Sequence, residues 1–88
     1  MIRRRVLARG RVQGVFFRDA TRREAESAGV AGWVRNRSDG AVEAVFEGDE
    51  PAVERMLEFA RGGPGHAAVE DLEVIDEEPE GLSGFDVR

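Results

Sequence analysis

The sequence predicts an α+β domain: a mostly antiparallel sheet with two helices packed together on one face. Three observations carry this. Apolar residues recur in blocks that switch between period two and helical spacing, in the order β-α-β-β-α-β with a short strand to follow. Only two blocks are helical, too few to cover both faces of a four-stranded sheet. The chain has 88 residues, enough for one domain spanning 1–88 with its own core, and it contains no internal repeat or linker.

The elements follow in order. From Arg3 to Val12, Val6, Ala8, Gly10 and Val12 share one side, and Arg3, Arg5, Leu7, Arg9 and Arg11 the other; that is a strand with one face on a core. Arg18 to Ala28 is rich in helix formers, with Phe17, Thr21, Ala25 and Ala28 on one face and Gly29 placed for a C-cap. Val30–Arg37 and Ala41–Glu47 read as strands joined by Ser38-Asp39-Gly40, a hairpin signal. Asp49 to Arg61 is the clearest helix: Asp49 as cap, Pro51 in the first turn, and Val53, Met56, Leu57 and Ala60 at helical spacing. Gly62-Gly63-Pro64-Gly65 ends it, and Val69–Ile75 reads as a strand before an acidic break over Asp76–Gly81. Phe85–Arg88 supplies a short closing strand. This is the split β-α-β, ferredoxin-like sandwich (βαββαβ plus a short C-terminal strand). The architecture alone names no function.

Composition narrows the chemistry. With no cysteine and one histidine, disulfides and thiol nucleophiles are excluded, and neither a metal nor a cofactor is expected. No apolar run of signal-peptide or membrane length follows the basic N-terminus, so the expectation is a cytoplasmic monomer with no membrane contact. The net charge of −5 conceals an asymmetry: residues 1–37 carry +7 and residues 38–88 carry −12. All thirteen basic residues are arginine, whose guanidinium grips carboxylates and phosphates in bidentate fashion. The acidic remainder speaks against nucleic acid as a partner.

The stretch GRVQGVFFRDA, Gly10 to Ala20, carries the chemistry. Gln13, Gly14, Val15, Phe16 and Phe17 lie between the end of a strand and the start of a helix. Main-chain N–H groups there can converge on one concavity, to which the helix N-terminus adds positive potential. Gly14 permits backbone angles and a close approach that a Cβ would block. Arg18 stands where its guanidinium can close over a phosphate or sulfate ion in that loop. On local grounds Arg18 and Asp19 equally make a solvated ion pair. Neither a P-loop nor a GxGxxG is present. In GWVRN, Asn36 shares the buried side of its strand with Val34; its amide either bonds the turn backbone or holds a water by donating and accepting at once. Of the two phenylalanines, both anchor the loop, and one edges the pocket. His66, in a loop, reads as incidental. Trp33 packs or rests on the exposed face of the sheet. Arg3, Arg5, Arg9 and Arg11 read as exposed, pairing with Glu43 and Glu47 at about 0 to 1 kcal/mol each.

GRVQGVFFR (Gly10–Arg18) together with GWVRNRSDGAVEAVFEG (Gly32–Gly48) closely resembles the two signature segments of the acylphosphatase family, and GPGHAAV (Gly63–Val69) resembles the segment before its fourth strand. The resemblance covers essentially the whole chain. It implies a hydrolase that cleaves the carboxyl–phosphate bond of small acyl phosphates without a metal. It further implies that Arg18 binds the phosphate, that the amides of Gln13–Phe17 cradle its oxygens, and that Asn36 positions the attacking water. The chain departs from the family at its end, Asp86-Val87-Arg88 replacing the usual terminal aromatic residue, which bears on the packing of the closing strand. Two rivals remain open on sequence. One is a non-catalytic anion-binding regulatory domain of the same fold. The other is an RNA-binding module, which would need exposed aromatics on the central strands, where Arg3–Val12 has none.

Overall fold

The alternation between Arg3 and Val12 becomes strand β1, Ile2–Arg11, in the computed structural model, which describes all residues from Met1 to Arg88. Helix α1 is Phe17–Ala28, β2 Ala31–Asn36, β3 Val42–Gly48, α2 Glu50–Arg61, β4 Ala68–Glu77 and β5 Phe85–Val87. The strands form one sheet in the order β4-β1-β3-β2-β5, antiparallel except for β5, which runs parallel to β2. The expected α+β, ferredoxin-like arrangement is therefore present. No helix is long and apolar enough to cross a membrane.

The core lies between the sheet and the helices. Val6 and Ala8 from β1, Val12 just after it, Val34 from β2, and Val42, Ala44 and Phe46 from β3 meet Phe17 and Ala25 of α1 and Val53, Met56 and Leu57 of α2. Both faces of alternation were legible because each side chain in a strand faces opposite its neighbour. β5 joins this core through Phe85, whose ring stacks on Phe46 at a centroid separation of 5.9 Å and 17° between planes. Phe85 thus supplies the aromatic anchor that the chain end lacks.

Three expectations need correction. The outer face of β1 and β3 is solvated only in part: Arg9 and Arg11 are exposed, but Arg3, Glu43 and Glu47 are buried, at 3, 3 and 1% exposure. Of the expected pairings those of Arg3 and Arg5 form, whereas Arg9 meets Asp71 and Glu73 instead. Arg3 donates to Glu47 at 3.3 Å and to Glu77 at 2.8 Å, while Arg5 bonds Glu77 at 2.7 Å and also pairs with Glu43. Arg35 reaches the other oxygen of Glu43 at 2.8 Å. The stems of Arg5 and Arg35, themselves partly exposed, shield the carboxylates beneath them, so Glu43 and Glu47 are buried without an apolar layer. The same network explains the second correction: β4 runs on to Glu77, through the first two residues of the expected break, because Glu77 has Arg3 and Arg5 to meet. The third is Asp49, which stands at the N-cap of α2 but makes no side-chain hydrogen bond there. Trp33, 8% exposed, lies on this outer face beneath the guanidiniums of Arg5, Arg35 and Arg88, 4.9 to 5.6 Å from its ring centroid.

Candidate active site

Between Arg11 and Phe17 the chain must turn from a strand into a helix within five residues. Val12 stays in the core, Gly14 takes φ 71°, and Phe16 takes φ 64°, ψ 20° as the N-cap residue of α1. Phe16 is the one non-glycine residue of the chain with positive φ, a strained conformation for an aromatic side chain. At Gly14 an added Cβ would meet no atom within 4 Å. The backbone angle, rather than room within the fold, accounts for that glycine.

The consequence is a bare helix end. No side chain caps α1, and none of the main-chain N–H groups from Gly14 through Asp19 donates to a protein acceptor. Six donors at the positive end of a helix are therefore left for something else.

The loop is fixed from both sides. Gln13 donates through Nε2 to the carbonyls of Arg37 (2.8 Å) and Ala41 (2.9 Å), tying it to the β2–β3 hairpin. On the other side, the main-chain N–H of His66 donates to the Val15 carbonyl at 3.0 Å. Gly65 packs so closely beneath the loop that a Cβ there would lie 2.5 Å from the Val15 oxygen. Sequence reasoning missed this supporting turn; the glycine run 62–65 signals a helix stop and says nothing about which loop it touches. The imidazole of His66 stands edge-on to the Phe16 ring, with 6.3 Å between ring centroids.

Arg18, on the first turn of α1, is exposed and has no carboxylate partner. The local ion pair that its neighbour suggested does not form: Asp19 instead accepts from Arg22 at 3.0 Å and Arg23 at 3.1 Å, one turn on. Asn36 ends β2, opposite Val42. Its Oδ1 is buried and has no hydrogen-bond partner, a state shared in the whole molecule only by Thr21 Oγ1. No N–H or O–H of the protein donates to Asn36 Oδ1, and Gln13 directs its own amide N–H groups to the turn carbonyls of Arg37 and Ala41. An unpaired buried amide oxygen costs about 1 to 3 kcal/mol, and this one can accept a hydrogen bond from a ligand or a water.

Arg18 and Asn36 open into one cavity of about 520 Å³, lined also by Val12, Gly14, Phe16, Phe17, Asp19, Arg22 and Val87. Of the residues expected at the site, Gly14, Phe16, Phe17, Arg18 and Asn36 meet there. Gln13 and Val15 do not line it: Gln13 turns to the hairpin, and Val15 is buried beneath the loop. Phe17 is the buried anchor and Phe16 the exposed edge. Val87 was not foreseen, because its place depends on β5 lying beside β2.

The family model of acylphosphatases matches residues 4–87. The chain is 58% identical over 86 residues to a Rubrobacter xylanophilus protein named acylphosphatase, covering 96% of this chain and 77% of that one. It is 56% identical over 86 residues to one from Gloeobacter violaceus, covering 98% and 92%. Its fold is similar to that of an acylphosphatase from Bacillus subtilis, with TM-score 0.95 and 38% identity over 100% of this chain and 99% of the other. Sequence motifs, fold and full-length likeness thus agree: the chain belongs to the acylphosphatase family, enzymes that hydrolyse the carboxyl–phosphate bond of acyl phosphates.

Proposed function

We propose that the cavity at the start of α1 is where this hydrolysis occurs. In this reading Arg18 and the loop amides hold the phosphoryl group and Asn36 orients the water. The observation that carries it is the convergence of three unsatisfied elements: a free guanidinium, a run of free N–H donors, and a buried amide oxygen without a partner. An anionic phosphoryl group answers the first two, and a bound water answers the third.

The chemistry asks for little more. An acyl phosphate expels a carboxylate, a good leaving group that needs little protonation. What remains is to neutralise charge on the equatorial phosphoryl oxygens and to place one water in line with the leaving oxygen. The guanidinium fork and the amides supply the first. Asn36 accepts a hydrogen bond from the water through Oδ1, aiming its lone pair at phosphorus. As water oxygen bonds phosphorus, the bond from phosphorus to the carboxyl oxygen breaks and its electrons leave on the carboxylate. Asparagine is too weak a base to take the proton, so it passes to a phosphoryl oxygen, and inorganic phosphate departs. Gln13 and Val15 act at one remove by holding the loop. No step calls for a metal or cofactor. The protein works as a monomer: Met1, Phe16 and Val87 are its only large exposed apolar side chains, too few to form the core of an interface between copies.

The test is hydrolysis of benzoyl phosphate in EDTA by the parent, Arg18→Ala and Asn36→Ala. Arg18→Ala should raise KM and lower kcat, and Asn36→Ala should chiefly lower kcat, by roughly 10²-fold or more. Near-parental turnover in Asn36→Ala would remove Asn36 from the mechanism. A folded parent that binds phosphate without turnover would instead favour the regulatory anion-binding reading. A solvent isotope effect and a rate that tracks a protein group rather than the substrate would overturn the proton route.

A further inference from the structure

We infer that Phe16 and Val87 form an acyl subsite that selects acyl phosphates with an apolar, preferably aromatic, acyl group. This rests on the reading of the cavity as the phosphoryl site. Large apolar side chains are exposed at only three places in the molecule: Met1, Phe16 at 73% and Val87 at 42%. The last two both line the cavity that holds Arg18 and Asn36, one from the loop and one from β5. The other apolar lining residues, Val12 and Phe17, are buried in the core at 1 and 3% exposure. The cavity therefore has a floor that is closed and a rim that offers apolar surface to whatever enters.

The cost of that arrangement argues for a use. Phe16 adopts left-handed backbone angles that glycine would adopt freely, and the fold buries little of it in exchange: it stays 73% exposed, with His66 as its aromatic neighbour. Val87 sits beyond Phe85, the residue that anchors β5, so the strand's attachment does not depend on its side chain. Neither side chain offers a polar group to the phosphoryl end. A substrate held by its phosphate must project its acyl group away from the amide floor, past these two side chains. An acetyl group is too short to cover both, whereas a phenyl or branched alkyl group removes both surfaces from water.

Benzoyl phosphate and acetyl phosphate share the group that reacts and differ in the group this rim would read. The experiment measures kcat/KM for both with the parent, Phe16→Gly, Val87→Thr and Arg18→Ala; the ratio within one protein is independent of its active fraction. The parent should favour benzoyl phosphate. Phe16→Gly, which suits the local φ, should cut the benzoyl-to-acetyl ratio about tenfold, and Val87→Thr, isosteric and β-forming, about threefold. Inhibition by inorganic phosphate, which has no acyl part, should be the same in Val87→Thr as in the parent. Ratios unchanged in both variants while Arg18→Ala is inactive would overturn the subsite alone. Weakened phosphate inhibition in Val87→Thr matching its loss on benzoyl phosphate would also overturn it, by moving Val87 to the phosphate end. Parental turnover in Arg18→Ala would remove the phosphoryl site and the subsite together.

Discussion

At the scale of single residues, the site is made by what is left unpaired. Arg18 is free because Asp19 prefers Arg22 and Arg23, which lie three and four residues along the same helix face. Asn36 Oδ1 is free because no donor of the protein reaches it, Gln13 having turned its amide N–H groups to the hairpin carbonyls. Both outcomes were undecided in the sequence, where Arg18–Asp19 read equally well as a surface pair and Asn36 as a turn residue. Gly65 and His66 show how a neighbouring position can matter through its backbone alone. Gly65 has φ 65°, and a Cβ there would strike the Val15 carbonyl; Gly65→Ala should displace the loop, lowering kcat/KM for benzoyl phosphate at least about tenfold by misplacing its amides. His66→Ala keeps the N–H that Val15 accepts, so its turnover should stay close to parental. Steady-state kinetics of the two variants side by side would check this, and equal losses in both would refute it.

Among the elements, the loop between β1 and α1 carries the proposed phosphoryl site, and its neighbours hold it. The hairpin holds one end, the turn after α2 holds the other, and β5 supplies part of the cavity wall. Helix starts contrast instructively. α1 begins at a strained phenylalanine with no cap, which sacrifices helix stability to leave its amides open. α2 begins at Asp49, the residue type that normally caps, yet its side chain bonds nothing and Pro51 fills the first turn. Asp49→Ala should therefore cost well under the roughly 1 kcal/mol of a working cap. Urea denaturation would measure it, and a loss of 1 kcal/mol or more would show that the carboxylate does cap α2 in solution.

Across the whole molecule, the charge asymmetry of the sequence turns into an internal lattice. Arg3, Arg4, Arg5 and Arg9 of the basic front half meet Glu43, Glu47, Asp71, Glu73, Asp76, Glu77 and Glu80 of the acidic back half. Folding thus cancels much of the field that the front half alone would project, leaving Arg18 as a local attraction for anions. Glu47 is the keystone. Its carboxylate accepts the N–H groups of Glu80 (2.9 Å), Gly81 (2.7 Å) and Leu82 (2.8 Å) as well as Arg3, pinning the segment that delivers β5 to the sheet. Burial by itself would push the Glu47 carboxyl up, but those backbone bonds and Arg3 outweigh it and hold it below the ordinary 4.5. Glu43 is likewise lowered, burial being overcome by Arg35 and Arg5, and Glu77 is lowered by Arg5 and Arg3. Since the unfolded chain protonates these carboxyls at higher pH than the native one, their contribution is complete above about pH 5 and is lost as pH falls through 4.5 and below. In Glu47→Gln an amide NH₂ must face one set of backbone N–H donors and a buried Arg3 loses a partner. That variant should lose about 3 kcal/mol at pH 7, lowering Tm by more than about 10 °C. The gap from the parent should narrow toward pH 4 as the parent's own carboxyl protonates. Thermal unfolding by circular dichroism at both pH values would check it; a Tm difference that is small at pH 7, or that widens in acid, would sink the idea.

The sequence by itself determined the order and type of the elements, the inward face of each strand and helix, and the two motifs around Arg18 and Asn36. These depend on periodicity and turn chemistry, which are local properties of the chain. It could not show that Arg3, Glu43 and Glu47 are buried, since burial of a charge is decided by partners distant in the chain: Arg3 meets Glu47 44 residues on, and Arg5 meets Glu43 38 residues on. Nor could it place Gly65 under the loop or Val87 in the cavity wall, because both positions follow from which strands and turns become neighbours in space. The tertiary structure also decided which polar groups stayed unsatisfied. A hydrogen-bonding group's partner is fixed only when every competing donor and acceptor has its position, and that is settled only when the chain has folded.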